Sequence, residues 1–129
     1  MVAVDTNVVV RLVTNDSPAQ AARAAAIFRA GPVFVPKSVL LESEWVLRYS
    51  YRLGTDAVLR ALRGVLGLPN VSAEDPTAVV TALGLLQQGY EFADALHVAS
   101  GASADRFVTF DARLVKRAHG RSPVAVELA

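Results

Sequence analysis

The chain contains no cysteine. Neither a disulfide nor a thiolate metal site is therefore available, and any bound metal must take oxygen or histidine ligands. A cysteine-free chain suits a cytoplasmic location, which is the expectation here. Histidine is scarce, at two in 129 residues, so a histidine-rich metal site is excluded as well. The pattern of a secretory leader is also missing. The sequence runs from Met1-Val2-Ala3-Val4 directly to Asp5, with no basic stretch ahead of an apolar segment and a small-residue cleavage site. Long hydrophobic runs are lacking too. The longest uncharged window, residues 76–90, includes Thr77, Thr81, Gln87, Gln88 and two glycines, and it falls short of the roughly 20 apolar residues a membrane span needs. It reads as a core helix, and no membrane association is expected. No internal repeat, low-complexity tract or linker interrupts the chain.

What remains is a chain of 129 residues, 53% hydrophobic and 19% charged, long enough for one globular domain over residues 1–129 and too short to suggest two. The formal net charge of +1 leaves partners open, because a neutral total can hide local patches of either sign. Four short apolar runs, at 1–4, 33–35, 107–110 and 124–126, are uninterrupted rather than alternating, as in strands covered on both faces of a parallel sheet. Between them lie helical signals. Ser17-Pro18 opens an alanine-rich stretch to about Arg29, and Asp75-Pro76 opens another to Gln88, each an N-cap followed by proline at the first helical position. Further helices are expected over 38–52, 56–66, 92–102 and 112–118. The alternation predicts an α/β domain with helices flanking a mostly parallel sheet.

Four carboxylates stand where an acid needs a reason. Asp5 ends the first apolar run, which is either the ligand-binding edge of an open α/β sheet or the cap of a following helix. Asp111 repeats the arrangement after the third run; if the two strands are parallel, both acids emerge at the same edge of one sheet. Asp94 lies near the start of a helix rich in alanine, valine and leucine, where the helix dipole alone could account for it. His97, three residues on, reads as a hydrogen-bonded core or supporting histidine rather than a metal ligand. In Leu40-Leu41-Glu42-Ser43-Glu44-Trp45-Val46-Leu47, a helical wheel at about 100° per residue separates two glutamates. Glu42 falls on an apolar arc with Val39, Trp45, Val46 and Tyr49. Glu44 falls beside Arg48, where a half-exposed ion pair explains it without a catalytic role.

Gathering Asp5, Glu42, Asp94 and Asp111 in one place without a cation would cost several kcal/mol in repulsion and desolvation. A divalent metal removes that conflict. All-oxygen ligation suits Mg²⁺ or Mn²⁺, and Mg²⁺ commonly uses one or two carboxylates with waters and substrate phosphate, which points to phosphate chemistry by an activated water. Between Arg106 and Arg121 the chain carries Arg106, Arg113, Lys116, Arg117 and Arg121 against Asp111 alone. Arg113, Lys116 and Arg117 share one face of a short helix, either as a solvated surface or as a hold on a polyanion's phosphates.

Val4-Asp5-Thr6-Asn7, Glu42-Ser43-Glu44-Trp45-Val46-Leu47, Phe92-Ala93-Asp94-Ala95-Leu96-His97 and Thr109-Phe110-Asp111 together resemble the PIN-domain ribonucleases, and among them the VapC-type toxins of bacterial toxin–antitoxin pairs. The similarity covers essentially the whole chain, with the motifs in order. It implies a three-layer α/β/α sandwich, Mg²⁺- or Mn²⁺-dependent endonucleolytic cleavage of RNA, a homodimer, and a VapB-like antitoxin whose C-terminal segment occupies the active-site groove. By motif, Asp5 and Asp94 match the principal metal ligands, and Glu42 and Asp111 complete an acidic quartet. Thr6, Asn7 and Thr109 match polar positions near the site. Some relatives carry a further acid where this chain has Arg113, so a fifth acidic ligand is not expected. Two other readings stand beside this one: a PIN-like binding module in an antitoxin or promoter-DNA complex, and a metal-dependent phosphatase acting on small substrates.

Overall fold

The run Val33-Phe34-Val35, apolar on both faces, is the central strand of a parallel sheet in the computed structural model, which describes residues 1–129. Contacts divide the chain into two compact units, Met1–Glu74 and Asp75–Ala129.

In the first unit, β1 (Val2–Ala3) and β3 (Val71–Ala73) flank β2 (Val33–Val35), all parallel, with Val2 opposite Val33 and Val33 opposite Val71. Val33 and Val35 are fully buried. Val33 and Val35 fill one face of the middle strand and the half-buried Phe34 covers the other, and helices α1 (Thr6–Val13), α2 (Pro18–Ala30), α3 (Lys37–Trp45) and α4 (Thr55–Leu66) complete the unit. Proline opens α2 as expected, but the Ser17 hydroxyl makes no capping bond. The helix expected over 38–52 stays α-helical only through Trp45 and then widens into a π-helical turn, Val46–Ser50. Strand β3 has no counterpart among the apolar runs, because three residues centred on a serine carry no periodicity to read. Its position is fixed from outside the strand. Asn70 donates through Nδ2 to the carbonyls of Phe28, at 2.5 Å, and Gly31, at 2.7 Å, tying the strand's entry to the end of α2.

Helix α3 reverses part of the expectation for its two glutamates. The wheel groups the residues correctly, but the arc holding Glu42, Trp45 and Tyr49 faces solvent, with Trp45 56% and Tyr49 59% exposed. The buried side is Leu40, Ser43, Glu44 and Leu47. Glu44 does pair with Arg48, at 2.6 Å; the acid's side chain is only 7% exposed, so the exposed part of the pair is the arginine. Periodicity tells which residues share a face, not which face meets the core. Here the interior accepts a small serine and a neutralised acid, while the large rings remain outside.

In the second unit, β4 (Phe107–Thr109) and β5 (Val126–Leu128) pair in parallel, with Phe107 opposite Val126 and Val108 opposite Glu127. Strand β5 begins at the last residue of the apolar run 124–126 rather than occupying it; Ala125 instead accepts from the Phe107 N–H at 2.7 Å. Helices α5 (Pro76–Gln87), α6 (Phe92–Ser100) and α7 (Ala112–Ala118) surround this pair in sequence. Asp75 caps α5 through a bond from the Ala78 N–H. The helix buries Val79, Ala82 and Leu86, as a core helix should, and no helix of the chain is long and apolar enough to cross a membrane. Strands β1 and β4 belong to separate sheets, so Asp5 and Asp111 do not share the edge of one sheet.

Candidate functional site

Asp5 and Asp111 each stand two residues beyond a parallel strand and cap the helix that follows. Asp5 accepts the Thr6 N–H at 2.7 Å at the start of α1. Asp111 accepts the N–H groups of Arg113, at 2.9 Å, and Leu114, at 3.2 Å, at the start of α7. Both are exposed. The capping reading is therefore true of each, and it leaves the second carboxylate oxygen of each outside the capping bonds described.

In the first unit, Asp5 and Glu42 line one cleft of about 280 Å³ together with Thr6, Asn7, Val10, Arg11 and Val46. Thr6 is buried, and its hydroxyl donates to Glu42 Oε1 at 2.5 Å. Its part is to hold the exposed Glu42 carboxylate in place, joining the start of α1 to the middle of α3. Asn7 is exposed on the cleft wall.

Sequence reasoning overlooked Arg11, although it stands four residues after Asn7 and so shares its helix face. Arg11 lines the same cleft and is fixed by Gln20 at 2.6 Å and the Tyr51 hydroxyl at 2.8 Å. An ion pair with Asp16, at 3.3 Å, neutralises it. The Tyr51 hydroxyl donates to Asp16 at 2.7 Å, and this bond, with help from Thr14 and Arg11 against some desolvation, holds the Asp16 carboxyl below its usual range.

In the second unit, Asp94 is half-buried in the first turn of α6. Burial, then the carboxylates of Asp111 and Glu91, push its carboxyl above the ordinary range, and the opposing pull of His97 and Arg117 does not cancel them. A helix start favours an anion, but here it does not offset desolvation and two neighbouring acids. Asp94 and Asp111 thus form an under-compensated acidic pair. The Thr109 hydroxyl accepts the main-chain N–H of Asp111 at 3.0 Å, so this threonine, unlike Thr6, bonds the backbone of its acid and not the carboxylate. His97 is exposed rather than in the core: α6 buries Phe92, Ala95, Leu96 and Val98, and the histidine falls on the opposite side.

The three cations of α7 divide. Arg113 and Lys116 are exposed and enter no ion pair, whereas Arg117 donates to the Gly89 carbonyl and sits within electrostatic reach of Asp94. Gly89 has a φ of 104°, a backbone conformation that strains any side chain and so favours glycine there. Arg106 is bound to Glu127 at 3.0 Å across the β4–β5 pair, a partner that lies outside the basic window of the sequence.

No three of the chain's histidine and acidic side chains gather closely enough to hold an ion by themselves. The donors occur as pairs, Asp5 with Glu42 and Asp94 with Asp111. Their chemistry fits a hard divalent cation, since Mg²⁺ is commonly held by one or two carboxylates with waters and phosphate supplying the rest.

Parallel strands whose ends carry acids, each capping the next helix, define an α/β protein with oxygen-rich sites at its strand ends. The chain belongs to the PIN domain family, whose model matches residues 2–120. Its seven α-helices and parallel strands agree with the PIN-like fold, which is a nuclease fold. No curated protein matches the sequence.

Proposed function

We propose that the protein is a metal-dependent endoribonuclease, in which Asp5, Glu42, Asp94 and Asp111 bind Mg²⁺ or Mn²⁺ and RNA is the substrate. The observation that carries this reading is the Asp94–Asp111 pair, a half-buried carboxylate raised by burial and by a second acid. A folded chain keeps such a pair at a cost, and a cation removes that cost. When bound, the divalent ion supplies Lewis-acid activation of water and neutralises charge on the reacting phosphodiester. The chain's own groups then have defined tasks. Thr6 orients Glu42, the N–H groups of Arg113 and Leu114 orient Asp111 while Thr109 holds its main chain, and Arg113 and Lys116 offer uncompensated charge to phosphates flanking the cut. Cleavage is expected to leave a 5′-phosphate and a 3′-hydroxyl.

Within this reading, the motif likeness to VapC-type toxins supports a finer one: a homodimeric toxin restrained by a VapB-like antitoxin. Purified protein incubated with RNA should cleave it in Mg²⁺ or Mn²⁺ and stop in EDTA, with Asp94→Asn inactive. Cleavage by Asp94→Asn at the parent's rate, or activity on a nucleotide monoester with none on RNA, overturns the ribonuclease assignment. Growth arrest on expression, relieved by a small protein encoded beside this one, tests the toxin role separately.

A further inference from the structure

Of five phenylalanines, three tyrosines and one tryptophan, only Trp45, Tyr49 and Phe110 are exposed, at 56%, 59% and 89%. Their placement is not scattered. Phe110 immediately precedes Asp111, and Trp45 follows Glu42 by three residues on the same face of α3, about 5–6 Å away between Cβ atoms. Trp45 and Tyr49 form a ring pair, centroids 5.3 Å apart and tilted by 41°. Val46, between them in sequence, lines the cleft that holds Asp5 and Glu42. The remaining rings are buried or half-buried. A large ring left in water forgoes the stabilisation of burial, so rings confined to the neighbourhood of the proposed acids call for a ligand with a flat apolar face.

From this geometry we infer that Trp45 and Tyr49 form a stacking platform for an unpaired RNA base next to the phosphate that is cut. The inference rests on the ribonuclease reading and gives it a substrate requirement: the nucleotide at this position must be out of a duplex, because a paired base has both faces covered by its own stack. Stacking on an aromatic platform tolerates any base, since each has a π-face. The platform therefore selects for strand state, with sequence choice left to other contacts. Charge is compatible as well: Arg48, between the two rings in sequence, is already neutralised by Glu44, and Arg52, exposed three residues beyond Tyr49, is left for the backbone phosphate of the stacked nucleotide.

Trp45 is the chain's only tryptophan, so its fluorescence reports this site alone. Titrating the Asp94→Asn chain with a single-stranded oligoribonucleotide should quench the emission to saturation. An abasic oligomer of the same length, or a fully duplexed one, should quench little. Binding followed by labelled-RNA anisotropy should weaken about tenfold in Trp45→Leu and in Tyr49→Leu, while Trp45→Phe retains most of the affinity. Unchanged melting temperatures in these surface variants would exclude a folding effect. The platform is refuted if RNA binds and is cleaved normally by Trp45→Leu, or if emission responds to protein concentration and not to RNA, which would make the ring pair a contact between two copies of the chain. Absence of RNA cleavage by the parent chain with metal present would instead bring down the ribonuclease reading, and the platform with it.

Discussion

Glu42 and Glu44 differ by two positions and by nearly everything else. Glu42 is exposed in the cleft and steadied by Thr6, so Glu42→Gln should lower RNA cleavage at least a hundredfold while leaving the melting temperature within about 1 °C of the parent. Glu44→Gln should do the opposite. It leaves the partly exposed Arg48 guanidinium facing a buried neutral partner, costing about 1 kcal/mol or roughly 4 °C in Tm, with activity per folded molecule unchanged. Melting curves and cleavage rates on the two variants separate these outcomes; equal losses of activity would undo the division of labour. The identity of the pair was legible in the i, i+4 spacing, and the burial of its acid was not, because spacing carries no information about the neighbours of a face. Asp94 makes a related prediction about pH. Its folded carboxyl titrates above the unfolded value of 3.8, so its stabilising contribution is complete below that pH and is lost as pH rises through the raised folded value. At neutral pH, metal-free Asp94→Asn should therefore melt no lower than the parent, and by calorimetry Mg²⁺ should raise the parent's Tm more than the variant's. A large drop in the variant's metal-free Tm would show that the acid is structural.

At the level of elements, α1 and α3 pack against each other and are joined by a side-chain hydrogen bond from Thr6 to Glu42 Oε1. Thr6→Val keeps the shape and removes the donor, so cleavage should fall about tenfold at saturating metal, and Thr6→Ser should restore it. If Val and Ser variants cleave alike, the bond does not position Glu42. The same helix gives a stability prediction. Ser43 is fully buried and its hydroxyl has no partner, so Ser43→Ala should raise stability by about 1 kcal/mol in denaturant unfolding. Most elements were legible because their signals are local: proline at the first helical position opened α2 and α5, and apolar runs marked β2 and β4. Strand β3 was not, since its pairing depends on Asn70 bonding the far end of α2, a contact 42 residues away in sequence. The π-helical turn after Trp45 had no signal either, and the separation of β1 and β4 into different sheets is a long-range property that apolar runs do not encode.

Over the whole molecule, thirteen basic and twelve acidic residues nearly cancel, yet RNA binding by this reading requires cations free to release counterions from phosphates. The ion pairs decide which ones are free. Arg11, Arg48 and Arg106 are engaged by Asp16, Glu44 and Glu127, and Arg117 is held at the Gly89 carbonyl. Arg113 and Lys116 are exposed without an ion pair, on the helix that Asp111 caps. The basic window of the sequence thus narrows to these two and the exposed Arg121 beyond the helix, of which Arg113 and Lys116 stand on the element that begins at Asp111. If both contact phosphates of single-stranded RNA, each adds about 0.7 to the steepness with which log affinity falls against log salt. The double variant Arg113→Ala, Lys116→Ala should therefore reduce that slope by about 1.4, weaken binding to all sequences alike, and leave the melting temperature nearly unchanged. Arg106→Ala, which removes a paired exposed cation, should leave the slope as it is. Filter binding or anisotropy across a salt series measures both. A slope unaltered in the double variant would take Arg113 and Lys116 out of the RNA path, whereas an equal decrease in Arg106→Ala would show that the charge of the surface as a whole, not these two side chains, governs the encounter.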